Sequence, residues 1–168
     1  NAFLPVAGKA DVRIGTLQVP YYLTAPGAAN PTAPLTSFWS GTAGSLLTRY
    51  NPAPVATSTQ TIPVLMTVPN ASSVAGATPP ATGWPVVIFQ HGITRNREDL
   101  LALSDTLADA GFVGIAIDLP LHGVTNTADP LNAANTAFVG DAERTFNLDL
   151  MNEATGAAGA DGGICSCG

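Results

Sequence analysis

The feature that most constrains this chain is the stretch from Trp84 to Gly123, WPVVIFQHGITRNREDLLALSDTLADAGFVGIAIDLPLHG. Its first part, Val86 to Phe89, is an uninterrupted apolar run of the kind found in strands buried on both faces of a parallel sheet. A helical pattern follows, and Phe112 to Ile117 form a second apolar run that ends at Asp118. Because short turns join the three segments, we predict a βαβ unit of a mainly parallel sheet.

The helix of this unit is predicted over Arg97 to Ala110. Three leucines recur at helical spacing there, namely Leu100, Leu103 and Leu107, with Leu101 and Ala108 widening the apolar stripe. Asn96 precedes the helix as a candidate N-cap, and Glu98 and Asp99 suit the positive N-terminal end. Gly111 suits the position just past the C-terminus.

Proline divides the chain by composition near Trp84. Twelve of the 14 prolines precede residue 86, so residues 1–83 are predicted to form a β-rich segment with long loops, and residues 84–168 the first, incomplete part of an α/β core. Alternating apolar residues in 10–23 and 61–69 predict two half-exposed, antiparallel strands. The long loop between them is predicted to contain one short helical turn at 45–50.

Charge and cysteine content exclude several classes of protein. The net charge is −6 with six basic residues that do not cluster, which argues against nucleic acid and against an anionic membrane as targets. No apolar run is long enough to span a membrane. Cys165 and Cys167 are too close for an easy disulfide and lack further zinc ligands. The start at Asn1 fits a processed, exported protein or a chosen boundary equally well.

Both histidines follow strands of the predicted unit, at the edge where sites form in parallel sheets. In the turn after the first strand, His91 and Gly92 precede Ile93, whose backbone N–H is the candidate donor to a developing negative charge. Gly92 is expected to let the backbone bend, and Thr94 is a candidate substrate-binding residue. An oxyanion hole, half of an ester-hydrolysing site, is one interpretation of this turn.

Structural interpretations stand beside it. His91 and Gly92 also suit a simple tight turn, and His122 suits a solvated or hydrogen-bonded turn residue. Asp118 is expected to brace the loops at its strand end. Arg95 and Arg97 are expected to pair with Glu98, Asp99 or the loops.

The whole 84–123 run, together with the upstream PYYLTAPGAANPTAPL and IPVLMTVPN segments, resembles the N-terminal region of bacterial extracellular lipases of the virulence-factor type, which are α/β-hydrolases. The resemblance covers residues 8–162 and weakens at the cysteine-containing end. It implies a secreted serine hydrolase that acts on acylglycerols or other carboxylic esters without a cofactor. It also carries the oxyanion role onto Ile93 N–H, beside His91 and Gly92.

The nucleophile and the catalytic histidine of that family are not found in these 168 residues. Ser104 lies inside the predicted helix, and Ser166 has no Gly two residues before it and no room for the helix that follows a nucleophile. The remaining serines precede the His-Gly turn, on the wrong side in the family's chain order: Ser37, Ser40, Ser45, Ser58, Ser72 and Ser73. By itself the chain is therefore expected to be inactive.

Two further expectations concern ligands and partners. The segment 146–163 contains oxygen donors that calcium prefers, Asp149, Asn152, Glu153 and Asp161, but their spacing misses the EF-hand loop, so a solvated loop is the alternative. The sheet of an N-terminal portion would expose an edge and an apolar face. We expect the C-terminal part of the same lipase, or a second copy, to cover them.

Three functions remain open at this point. The chain is the N-terminal portion of a secreted lipase or carboxylesterase, or part of a related hydrolase of polyesters or other esters. The third alternative is a non-catalytic binding or assembly module that keeps the esterase scaffold.

Overall fold

The computed structural model describes residues 8–24, 29, 33–126 and 128–135. Four strands are present in this part of the chain: β1 (Ala10–Tyr21), β2 (Ser58–Pro69), β3 (Val86–Phe89) and β4 (Val113–Ile117). The helices are short. They are α1 (Ala33–Thr36), α2 (Ser104–Asp109) and three 3₁₀ segments, Thr42–Gly44, Arg97–Leu103 and Ala133–Asn135. The architecture is α/β with few helices.

The four strands form one sheet in the order β1-β2-β4-β3. β3 and β4 run parallel, with Val86 opposite Val113, whereas β2 and β4 run antiparallel, with Val64 opposite Ile117. The predicted mainly parallel sheet is therefore wrong for the described strands, because a single βαβ unit contributes only one parallel pair. The sheet is mixed.

The βαβ prediction itself is confirmed. The Asn96 side chain accepts a hydrogen bond from Glu98 N, and Gly111 adopts the left-handed φ of 77° that glycine tolerates best. The helical segment is tighter than expected, since Arg97–Leu103 is 3₁₀ and only Ser104–Asp109 is α-helical. Leu100 is fully buried, whereas Leu103 at the junction of the two helix types is 44% exposed.

Burial on the sheet differs from the expectation for two strands. β3 was expected to be buried on both faces, but Val86 is 57% and Ile88 81% exposed, because β3 is the edge strand among the described residues. β2 was expected to be half-exposed, but Ile62 and Leu65 are almost fully buried, since β2 lies between β1 and β4. The core contains Leu65, Leu100, Ala116 and Leu131, with Val12, Ile14, Phe89, Leu101 and Leu107 packed against it.

The predicted helical turn at 45–50 is wrong. Residues 40–54 instead form isolated β-bridges, in which Ser40 pairs with Leu46, Gly41 with Pro54, and Thr48 with Asn51. The 3₁₀ turn of this loop lies earlier, at Thr42–Gly44.

The chain divides into two compact units. One comprises Asn1–Leu17 and Ile62–Thr145, and the other Gln18–Thr61 and Phe146–Gly168. The boundary near Trp84 stays a prediction from composition. No helix in the described ranges is long and apolar enough to cross a membrane.

One buried hydroxyl of the sheet is expected to cost stability. Thr67 is 1% exposed, and its Oγ1 has no hydrogen-bond partner among the described residues. Because an unpaired buried polar group is unfavourable, Thr67→Val should raise the free energy of unfolding by about 1 kcal/mol in urea denaturation. Thr61→Val, the same change at an exposed position of β2, is the control. Equal effects of the two substitutions would contradict this explanation.

Candidate active site at the carboxyl edge of β3 and β4

His91 begins the turn that follows β3, and its side chain is fully buried. Its Nδ1 lies 2.7 Å from Gly92 O, and its Nε2 accepts a hydrogen bond of 3.1 Å from Leu119 N in the loop after β4. Because a carbonyl oxygen can only accept, Nδ1 is the donor to Gly92 O. Both nitrogens are therefore used within the chain.

His122 makes the reciprocal connection. Its Nε2 accepts a hydrogen bond of 3.3 Å from Thr94 N in the β3 turn, and its Nδ1 lies 3.0 Å from Pro120 O. The two imidazole rings are 5.2 Å apart between centroids. Each histidine thus holds the loop that carries the other, and neither has a nitrogen left to act as a general base in this conformation. The expectation of a hydrogen-bonded turn histidine is confirmed for His122.

Ile93 lies in the turn after β3, which the hydrogen bonds of the two histidines hold in place. Its side chain is 81% exposed, and none of the hydrogen bonds among the described residues uses its backbone N–H. The neighbouring N–H of Thr94, in contrast, donates to His122. Ile93 N–H, the candidate donor of the sequence analysis, is therefore without a partner among the described residues.

Gly92 has a different role from the one expected. Its φ is not among the positive values in the described chain, whereas Thr94 has φ 65° and Leu121 has φ 66°. The left-handed bend is thus made by Thr94, which the hydrogen bond to His122 holds in place. A Cβ added at Gly92 would meet no atom within 4 Å. The space next to Gly92 where a side chain would begin is therefore open.

Asp118 and Arg97 form a buried ion pair beneath the two loops. Asp118 is 0% and Arg97 1% exposed, and Asp118 Oδ1 accepts a hydrogen bond of 2.6 Å from Arg97 N. The other carboxylate oxygen accepts from the guanidinium, which also donates to Leu131 O at 2.6 Å. Asp118 braces the loops as expected. Arg97 pairs with Asp118 in the loop after β4 and with the Leu131 carbonyl, which confirms the expected pairing with the loops.

The sequence contains a pattern from which the pairing of Arg97 with Asp118 could be predicted. Asp118 directly follows β4, and Arg97 begins the helix after β3, so both lie at the carboxyl edge of neighbouring parallel strands. Arg95 behaves as predicted, since it pairs with Asp99 one helical turn later on the exposed surface. Its guanidinium, by hydrogen bonding, lowers the pKa of Asp99.

Glu98 is the acid in this region whose pKa is raised. Burial is the main cause, and the negative charge of Asp129 adds to it, while Arg97 and Asn96 oppose the shift. A raised pKa in the folded state means that Glu98 favours folding while protonated and that this contribution is lost as the pH rises through the raised pKa.

Glu98→Gln should therefore unfold at a higher temperature than the wild type at neutral pH. The advantage should shrink as the pH falls and vanish below the ordinary pKa of 4.5. Thermal unfolding of both proteins between pH 4 and pH 8 measures it. An advantage that grows toward low pH would have the opposite sign from this account.

No serine in the described ranges is linked to a histidine by a hydrogen bond. Ser104 is buried in α2 and donates to Leu101 O, and Ser73 donates to Asn70 O. Since both imidazoles are also occupied, this part of the chain holds no nucleophile and base pair. Ser166 lies outside the described residues.

The ligand predictions are tested only in part of the chain. Among the described residues no group of three or more acidic, histidine or cysteine side chains could hold a metal ion. The candidate calcium segment 146–163 and both cysteines, Cys165 and Cys167, lie outside them.

Family models, curated proteins and solved structures were compared with this chain, and none of them matches it. The site is therefore interpreted from its own geometry.

Proposed function

We propose that this chain is the N-terminal portion of an α/β-hydrolase, a secreted bacterial lipase or carboxylesterase whose nucleophile lies outside these 168 residues. In this proposal the turn after β3 supplies one half of the oxyanion hole. The other half, the nucleophile and the base come from residues elsewhere.

The observation that carries the proposal is the backbone N–H of Ile93, which makes no hydrogen bond among the described residues and follows a glycine whose Cβ position is open. A catalytic donor must be fixed in place and free to bind the reacting oxygen. The reciprocal bonds of His91 and His122 supply the first condition. The absence of any hydrogen bond from Ile93 N–H among the described residues supplies the second.

The chemistry assigned to the turn is electrostatic. A serine oxygen from elsewhere attacks the ester carbonyl carbon, its proton passes to a base, and the carbonyl electron pair moves onto the oxygen. Ile93 N–H donates a hydrogen bond to that oxygen as it becomes negative. No atom of His91 or His122 takes the proton, because their nitrogens hold the loops.

Labelling with a fluorophosphonate tests the position of the nucleophile. The protein that carries this sequence, purified from its source, is labelled, digested and mapped by mass spectrometry. We expect the label on a serine outside the 168 residues. Label on Ser166 or on any serine of this chain would overturn that part of the proposal, and failure of every polypeptide in the sample to react would overturn the serine-hydrolase mechanism.

The substrate class is proposed as carboxylic esters, with acylglycerols first and polyesters as the alternative. Low charge in the first part of the chain favours uncharged substrates, since Arg49 is the only charged residue between Arg13 and Arg95. Hydrolysis rates of the intact enzyme on long-chain acylglycerols and on a polyester film distinguish these two substrates.

The exposed sheet face favours a second candidate, the non-catalytic assembly module. Ile88 and Val86 of the edge strand are 81% and 57% exposed, and Leu17 of β1 is 47% exposed. Such a face needs a partner, which we propose to be the C-terminal part of the same protein or a second copy. If light scattering showed that this chain is a monomer with no bound peptide, that result would contradict the proposal of a partner. An intact protein that binds but never hydrolyses esters would favour the module.

A further inference from the structure

An apolar groove of about 410 Å³ lies in the unit that contains residues 18–61. Its lining, which we call the aromatic groove, consists of Leu23, Ser37, Phe38, Trp39, Leu46 and Leu47. Three of these side chains are exposed to an extent that is unfavourable in water: Phe38 at 79%, Leu46 at 61% and Trp39 at 47%. The groove shares no residue with the His-Gly turn.

Hydrogen bonds hold the loop that presents these side chains. Gly41 N donates to Ser45 O at 2.6 Å, and Val55 N donates to Ser40 O at 2.9 Å. The amide of Asn51 donates to Ser45 Oγ at 2.7 Å. A Cβ at Gly41 would lie 2.2 Å from this Asn51 amide nitrogen, so the glycine allows the close contact. The exposed side chains of the groove therefore belong to a loop that hydrogen bonds hold in place.

The aromatic side chains are further supported by their neighbours. Trp39 packs against Tyr22 with ring centroids 5.8 Å apart, which leaves about half of the indole exposed. An indole that is packed on one side and exposed on the other suits a boundary between an apolar phase and water.

Charge defines the kind of surface that fits. Between residues 18 and 61 there is no acidic residue, and the only basic residue is Arg49. The net charge of −6 therefore comes from the rest of the chain, which carries −7. Arg49 itself lies over the ring of Tyr50, 4.5 Å from its centroid. On a protein with a net charge of −6, an apolar surface without acidic residues and with a single arginine suits a neutral partner, and the net negative charge of the chain opposes an anionic one.

We propose that the aromatic groove binds an electrically neutral lipid surface. Phe38 and Leu46 enter the boundary between headgroups and acyl chains, and Trp39 remains at the headgroup level. This proposal does not depend on ester hydrolysis.

Vesicles of ether-linked phosphatidylcholine test it, because these lipids are neutral and have no ester bond to hydrolyse. The full chain is floated with vesicles, and Trp39 emission is followed in a Trp84→Phe background, which leaves Trp39 as the only tryptophan. We expect vesicle binding with a blue shift of Trp39 emission. Added anionic lipid should not strengthen binding.

The variant Phe38→Ser/Leu46→Ser should lower the vesicle partition coefficient at least about tenfold, since two exposed apolar side chains no longer leave water. The control Val74→Ser/Leu103→Ser changes two exposed apolar residues elsewhere, at 83% and 44% exposure, and should bind as the wild type does. Thermal unfolding checks that both variants are folded.

Three results would overturn the proposal. They are no binding to neutral vesicles, equal losses in the two variants, and binding that requires anionic lipid. A change of oligomeric state in the groove variant, with vesicle binding intact, would identify a protein contact instead and would also overturn it. Loss of ester hydrolysis in a separate assay concerns only the catalytic proposal.

Discussion

Replacing Asp118 with Asn is expected to lower the free energy of unfolding by about 3–5 kcal/mol. The substitution removes the charge that compensates the Arg97 guanidinium, and both side chains are almost completely buried. It also weakens the link between the helix start at Arg97 and the loop at Leu131. Since a domain of this size has about 5–15 kcal/mol of stability in total, the variant should be close to unfolding at 37 °C. Urea denaturation followed by circular dichroism measures the loss.

The exposed Arg95 and Asp99 pair is the matched control. Asp99→Asn removes one carboxylate from an ion pair at the surface, where water screens the charges, and should change stability little. The double variant Arg97→Met/Asp118→Leu should recover part of the loss, because it leaves no unpaired charge in the interior. Equal losses for Asp118→Asn and Asp99→Asn would contradict the role of burial.

Replacing Ile93 with Pro is expected to lower kcat for ester hydrolysis by about 100-fold to 1,000-fold in the protein that contains this chain together with its nucleophile. Proline removes the backbone N–H that we assign to the oxyanion. The thermal stability should change little in comparison, because Ile93 N–H makes no hydrogen bond in the described structure and its side chain is 81% exposed.

Two variants separate the backbone from the side chain. Ile93→Ala keeps the N–H and should retain kcat within a few-fold. Gly92→Ala fills space that no atom of the described structure occupies, so it should leave stability unchanged while raising KM or lowering kcat. If Ile93→Ala lost as much activity as Ile93→Pro, the side chain and not the N–H would be the functional group.

Local signals in the sequence predict the βαβ unit and its boundaries. Asn96 and Gly111 act through their own backbone and side-chain preferences, which do not depend on distant residues, and both occupy the predicted positions. The position of Ile93 at the carboxyl edge of β3 follows from the order of elements alone. These features can be predicted because they depend only on local sequence and on the order of the elements along the chain.

The features that the sequence does not predict depend on contacts between residues that are far apart along the chain. The antiparallel contact of β2 with β4 joins residues about 50 positions apart. It places Leu65 opposite Ala116 in the core and leaves β3, with Ile88, at the edge of the described sheet. The reciprocal bonds of His91 and His122 depend on how two loops approach each other. Sequence places both histidines at one edge but carries no information on which backbone N–H each imidazole accepts.

The amide resonance of Ile93 gives the most direct test of the central claim, that its N–H binds the negative oxygen of the reacting ester. Proton–nitrogen NMR spectra of the complete hydrolase are compared before and after a phosphonate forms its covalent adduct. We predict a downfield shift of the Ile93 amide proton and a small change for Thr94, whose N–H remains bonded to His122. An adduct that forms while the Ile93 amide stays unchanged would contradict the claim.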